Sequence, residues 1–353
     1  MNRKYFLPLF LFVQIVFLKI ISLFPEFVER FYSNGLYLVL SHFLRFTFGK
    51  SSFSVGDCIY FVIIFFAIKW IWVKKKSWKP DWKNNLLQIV SFFSIVYFLF
   101  NLLWAFNYYR QPLFEKMKIN TEYSDADLLT FTQKIIAKTN AVQYQIAKNK
   151  NQKIVFPYTQ EQTFVMNLEG YQKLSDDYTF FNYSNLSVKK SIISLPLTYM
   201  GFSGYLNPFT NEAQVNDMIP MYQFPVTTCH EMAHQLGYAS ESDCNFIGFL
   251  ATVNTDNLYF QYSGYSMALR YCLANWYNRN PKIEQQLLQA INPGILKNYQ
   301  ESEDFWQQYE TPIETGFHIF YDHYLKMNQQ KDGMESYNKF VDLMVNYYKG
   351  KEI

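Results

Sequence analysis

Histidine is scarce in this chain, with five in 353 residues, so each one carries weight. Charge is scarce too. Only 17% of residues are Asp, Glu, Lys or Arg, and the formal net charge is +3. That excess is too small to call for a nucleic-acid partner, and no basic stripe runs through the C-terminal part. The four cysteines, Cys58, Cys229, Cys244 and Cys272, are too few and too scattered for a disulfide framework. Buried free thiols are the expectation. A Cys229–Cys244 approach stays open if the chain folds back between them. There is no internal repeat and no glycine-rich loop for phosphate.

What is abundant is apolar and aromatic surface. Half the residues are hydrophobic, and Phe and Tyr number 35 and 29. The mean hydropathy of −0.14 averages two unlike parts. Residues 1–106 are strongly apolar, and residues 107–353 have ordinary composition. A bilayer crossing takes ~20 mostly apolar residues. Three stretches reach that length, near 5–24, 58–73 and 86–106. Lys19 and Lys69 are tolerable because their stems can carry the ammonium to an interface. A cleaved signal peptide is disfavoured, because bulky Phe24-Pro25-Glu26 offers no small-residue cleavage site.

Basic residues orient the spans. Arg3 and Lys4 precede the first, and Lys74, Lys75, Lys76, Lys79 and Lys83 separate the second from the third. Both clusters belong on the cytoplasmic side. The loop of residues 25–57 and everything after 106 then lie outside. In a bacterium that means the inner (cytoplasmic) membrane, with the C-terminal domain on the periplasmic side. Within the loop, Phe31 to Phe48 reads either as an amphipathic helix on the outer surface or as a helix packed on the spans.

The chemistry-bearing stretch is His230-Glu231-Met232-Ala233-His234. On a helix, positions i and i+4 share a face, so two imidazoles there can hold one metal ion. Zinc accepts neutral imidazole nitrogen and keeps a place for water in catalytic sites. The adjacent Glu231 is then placed to take that water's proton. Pro225 suits the first turn of a helix starting near Phe224, and Gly237 suits a left-handed stop. Ser240 to Asp243 reads as a capping box that opens a second, buried helix through Leu250. The turn brings two acids back toward the histidines. Glu241 is the favoured third ligand and Asp243 the alternative, its competing role being the acid of the box. No apolar run of spanning length covers position 230, so the motif belongs to a domain outside the bilayer.

His230 to Leu250 resembles the metal-binding core of zincin metallopeptidases of the glutamate-ligand branch. The resemblance implies zinc held by His230, His234 and Glu241, with Glu231 as general base. It makes Asn245, four residues after Glu241, a partner for a ligand histidine, although aspartate is usual there. The whole chain is similar to an uncharacterised Bacteroidetes-type family of membrane proteins with about three N-terminal spans. The stretches that carry this are Asn34-Gly35-Leu36-Tyr37, Phe53-Ser54-Val55-Gly56-Asp57, Gly201-Phe202-Ser203-Gly204, the zinc motif, and Tyr321 to Lys326.

The fold expected is an α-helical membrane segment followed by an α+β, mostly helical zincin-like domain over 107–353. A helix starts at Ser124-Asp125, and residues 150–190 read as irregular. Ser191 to Leu195 reads as a strand, and Gly204 to Asn207 with Glu212 to Asn216 as a hairpin. From Asp256 onward the chain reads as helical, ending in Glu335 to Tyr348. His318 and His323 read as ordinary packed or surface residues, and His42 as structural. Tyr205, Tyr238 and Tyr265 are undifferentiated candidates for stabilising an oxyanion. The expected activity is zinc-dependent hydrolysis of a peptide or protein at the membrane. The competing reading is a catalytically idle zincin fold retained for binding, against which the intact Glu231 argues.

Overall fold

The computed structural model describes residues 3–328 and 337–353. It is mostly helical. The first apolar stretch forms α1 (Phe6–Ile21), continuous with a 3-10 turn from Arg3. A π-helical stretch (Val28–Leu36) runs directly into α2 (Tyr37–Phe48). The other apolar stretches form α3 (Val55–Lys74) and α4 (Trp82–Leu103). Thus the chain carries three helices long and apolar enough to cross a membrane. Their apolar side chains lie largely exposed, Phe65 and Phe66 on α3 and Phe93 on α4 among them. Exposed apolar helix faces on this scale point to association with a membrane.

The segment after α4 packs into a helical body. Its labelled helices are α5 (Asp125–Ala147), α6 (Gln160–Asp177), α7 (Phe224–Gln235), α8 (Glu241–Val253), α9 (Leu258–Arg279), α10 (Pro293–Gln307), α11 (Pro312–Met327) and α12 (Tyr337–Tyr347). The central helix is α8. Every residue of it except Asp243 is buried, which fits a sequence that is mostly apolar on all faces after its polar first turn. It packs on α7, α9, α6 and α12.

One small sheet flanks α7. Its order is β1-β3-β2, with β1 (Val188–Lys190) parallel and β2 (Gly204–Leu206) antiparallel to β3 (Ala213–Val215). The hairpin expected from the sequence is therefore present.

Several expectations need correction. Residues 150–190 are not irregular. They contain α6, opened by a complete capping box of Thr159 and Gln162. Phe164, Tyr171 and Leu174 give it a buried stripe. The strand expected at Ser191 to Leu195 lies three residues earlier, and Ser194–Tyr199 is helical. Two contacts account for the shift. Asp57 accepts from Ser191 Oγ and Ile192 N–H and draws the chain out of the ladder. Lys189, an unpromising strand residue, is buried with its ammonium donating to the Gly49 carbonyl at 2.9 Å. The box at Ser240 is half formed. Ser240 Oγ accepts from Asp243 N–H at 3.4 Å, but the Asp243 carboxylate bonds the Leu113 amide instead. The last helix is described from Tyr337, and Glu335 and Ser336 lie outside the described residues.

The stretch Phe31 to Phe48 is neither a free surface helix nor a simple support for the spans. Tyr32 Oη donates to the Leu102 carbonyl at the end of α4. Tyr37 is fully buried and donates to the Gln235 carbonyl at the end of α7. The opposite face, with Val39 and Phe43, is exposed. One segment thus ties the spans to the C-terminal body.

Candidate metal centre

Pro225 in the first turn lets α7 start without a wasted amide. It ends at Gln235, and Gly237 turns the chain with φ +86°. A side chain at Gly237 would be strained by that φ and would also meet the Tyr37 ring. Glycine here lets α8 fold back so closely that its first residue, Glu241, faces the histidines.

The three donors converge. His230 Nε2 and His234 Nε2 lie 3.1 Å apart. Glu241 Oε2 is 3.2 Å from the first, and Glu241 Oε1 is 3.7 Å from the second. Ligands ~2.0–2.1 Å from one tetrahedral ion sit about 3.3 Å from each other. The imidazole pair is close to that edge, each carboxylate oxygen faces one imidazole, and with one donor atom per residue the three lie within 4.8 Å of one another. Two nitrogens and a carboxylate also match the donor chemistry of zinc. His230, His234 and Glu241 are the His/Cys/Asp/Glu cluster among the described residues that is arranged to hold an ion.

The imidazoles are held by their other nitrogens. His230 Nδ1 donates to Asn245 Oδ1 at 2.9 Å, and His234 Nδ1 donates to the Tyr238 carbonyl at 2.7 Å. A proton on each Nδ1 leaves each Nε2 lone pair free for a metal. Asparagine at 245 therefore supplies the acceptor that an aspartate would. Glu241 Oε1 in turn accepts from Tyr321 Oη at 2.7 Å.

The three side chains also shift one another's protonation. Burial works against ionised Glu241, yet the His230 hydrogen bond and both imidazoles pull it down to about 2. Burial also disfavours charged His230, but Glu241 outweighs it and lifts the imidazole to about 9. His234 has no such gain, and burial takes it down to about 4.

Glu231 stands apart from the triad. It is buried, and its Oε2 has no hydrogen-bond partner among the described residues. Burial raises it to about 8, against the pull of His230. A Cβ at Gly204 would fall 2.6 Å from Glu231 Oε1, so the glycine of β2 makes room for this carboxylate. An unpaired buried carboxylate is costly, and such cost is often retained where a base works. All four side chains line one cavity of about 920 Å³.

The other sequence candidates fall elsewhere. Asp243 is not in the cluster. It accepts from Leu113 N–H, with Arg110 nearby, and burial lifts it to about 6. Tyr238 packs under Arg110, and Tyr265 does not line the cavity. Tyr205 lines it, but its hydroxyl is bonded to Asp57. His318 sits against Glu314 and His323 is exposed. His42 contacts Ser184 and Asn185. All four cysteines are free thiols.

Sequence reasoning missed Tyr321 as a site residue, because nothing local separates it from 28 other tyrosines. The available signal was its place in Tyr321 to Lys326, one of the stretches that carry the family resemblance. The structure gives each of those stretches a job around the site. Tyr37 supports the end of α7. Asp57 and the start of α3 are docked on the sheet, where Glu212 caps the Val55 and Gly56 amides. Gly204 accommodates Glu231, and Tyr321 holds Glu241.

No curated protein and no solved structure matches this chain. Residues 32–345 match a family described as "Protein of unknown function (DUF3810)". That match runs from the π-helical stretch to α12 and covers the whole candidate centre, so the chain belongs to the DUF3810 family.

Proposed function

We propose that this protein is a membrane-anchored zinc-dependent hydrolase that cleaves peptide bonds. The observation that carries the reading is the geometry of four side chains. The donor atoms of His230, His234 and Glu241 lie within 4.8 Å of one another, and Glu231 brings to the same cavity a carboxyl whose Oε2 has no hydrogen-bond partner among the described residues. Bound there, zinc would supply a Lewis acid that acidifies water and polarises a carbonyl. Glu231 would accept the proton of the attacking water and return it to the leaving amine. Asn245, the Tyr238 carbonyl and Tyr321 orient the ligands.

The local plan supports a zincin-like architecture of the glutamate-ligand type. One helix carries both histidines, a glycine turn follows, and the next helix opens with the acid. An edge strand lies alongside. The Asn207–Glu212 and Asn216–Ser203 backbone bonds set the register of β2 on β3. That register turns the peptide groups of Gly204 and Leu206 away from β3, and both residues line the cavity. Among the described residues no strand pairs that edge of β2, and such an edge suits an extended peptide. The basic clusters around α1 and between α3 and α4 favour an inner-membrane protein with this site on the periplasmic face.

The test uses the purified full-length chain in detergent or nanodiscs. Zinc should bind one to one, and casein or a peptide library should be cut in a chelator-sensitive way. Metal-loaded wild-type protein no more active than Glu231→Gln would reduce the domain to a binding module.

A further inference from the structure

The cavity is not confined to the C-terminal body. Trp104 is the residue directly after α4, and its ring centroid lies 6.1 Å from that of His234. Its indole N–H donates to the His234 carbonyl at 3.4 Å. Phe100, inside the last turn of α4, and Tyr60, in the second turn of α3, line the same cavity. The ends of two membrane-length helices therefore form part of its wall. Aromatic residues at such ends mark the level of the membrane–water interface.

The facing wall is α11. Phe317, Phe320, Tyr321 and Tyr324 line the cavity from it, and Tyr324 Oη meets Tyr108 Oη at 3.2 Å just beyond the end of α4. The same helix leaves Ile319 57%, Phe320 64% and Met327 82% exposed. Apolar exposure beside span ends is the pattern of a helix lying in the interface. Helix α9 lines the cavity as well, with Ser263, Ser266 and Arg270 beside Met267, Tyr271 and Ala274.

We propose that the substrate is a polypeptide held in the bilayer by an apolar segment, which reaches the site between the ends of α3 and α4 and helix α11. A cavity walled by span ends is open to a chain that is itself anchored in the bilayer. The peptide groups of β2 that face away from β3, unpaired by another strand among the described residues, favour a polypeptide over a lipid. Tethering also raises the local concentration of a weakly bound chain without new contacts. The proposal rests on the hydrolase reading for the cut, but not for the binding.

The experiment reads binding and does not depend on turnover. Full-length protein carrying Glu231→Gln is placed in nanodiscs, with p-benzoylphenylalanine replacing Phe320. A second sample carries it in place of Tyr277, an exposed residue of α9 outside the cavity. The probe is a random dodecapeptide library fused to a 20-residue Leu/Ala membrane segment. The same library without that segment is the comparison. The tethered library should crosslink at Phe320 about tenfold more than the free one, and more than at Tyr277. Equal yields from the two libraries would overturn the proposal. So would absence of crosslinking at Phe320, or a labelled phospholipid that crosslinks there and is not displaced by the tethered library. Cleavage of soluble casein by wild-type protein is scored separately, so the hydrolase reading can stand when this one falls.

Discussion

The floor and the roof of the cavity are built on opposite plans. The floor is α7 and α8. His234, Glu231 and Glu241 are buried there, and each imidazole is fixed by a second hydrogen bond. Such a close-packed pair cannot shift without opening voids. The roof is α11. It is pinned by Tyr321, Tyr324 and the buried Leu325, while several of its apolar residues lie exposed. The lesson is a division of labour. The floor sets the geometry of the donors, and the roof closes over them while leaving apolar side chains exposed.

The sharpest test of that division lies within the floor. Glu231→Gln keeps the size of the side chain but cannot take a proton. Hydrolysis should fall by ~10²–10⁴-fold while zinc content stays at one per chain. His230→Ala and His234→Ala should lose both zinc and activity. Zinc analysis of the dialysed variants separates the outcomes. Loss of metal from Glu231→Gln would mean that the base and ligand roles are misassigned.

The two acids after the turn extend the comparison. Glu241 touches both histidines, whereas Asp243 serves the Leu113 amide. Glu241→Ala should leave the dialysed protein nearly free of zinc. Asp243→Ala should retain zinc and lower stability by ~1–3 kcal/mol, because it strands a buried amide. A denaturation series with parallel metal analysis checks both. The reverse pattern would move the ligand role to Asp243.

How much of this was legible beforehand follows from where the information sits. The donor set was local. An i, i+4 histidine pair, a glycine stop and an acid four residues later are all read within a dozen residues, and spans announce themselves by length and composition. What escaped was non-local. β1 hides behind Lys189, whose charge is satisfied by a carbonyl 140 residues away. The displacement of Ser191 depends on Asp57, at the start of a membrane helix. The role of Tyr321 exists only because α11 lies across α8. The missed α6 differs from these. Its Thr159–Gln162 box and its Phe164, Tyr171, Leu174 spacing were local signals, overlooked because the segment is polar on average.

Beneath the floor lies a third layer, and its failure would test whether the floor is rigid in its own right. Glu29 is buried and pairs with Arg110 at 2.8 Å and Lys116 at 2.8 Å, and Arg110 also donates to the Gly237 carbonyl at the turn. Burial opposes the charge on Glu29, but Arg110 and Lys116 outweigh it and hold the carboxyl down at about 2. A folded value below the ordinary one near 4.5 means stability that is present above that pH. It is lost as pH falls from there toward 2. Glu29→Gln should therefore cost ~2–3 kcal/mol at neutral pH and progressively less in acid. Melting curves of both proteins across that range should converge at the acid end. A constant gap would assign the loss to packing and not to the ion pair.

The smallest effect expected is the one that bears most directly on the roof. Tyr321→Phe removes a single hydroxyl, leaving the ring to pack against Phe202 and Tyr324. Helix α11 should stay in place and the melting temperature should barely move. The lost bond is one donated to a carboxylate, worth ~1.5 kcal/mol, which corresponds to about tenfold in zinc affinity. Chelator competition should show that drop, while zinc in excess restores full loading. If the roof only steadies Glu241, excess zinc should also restore casein cleavage. Cleavage that stays low in fully loaded protein would give the hydroxyl a part in holding substrate. Metal loss as complete as in Glu241→Ala would erase the distinction between floor and roof, because a residue of α11 would then be as necessary to the donor set as the donors of α7 and α8.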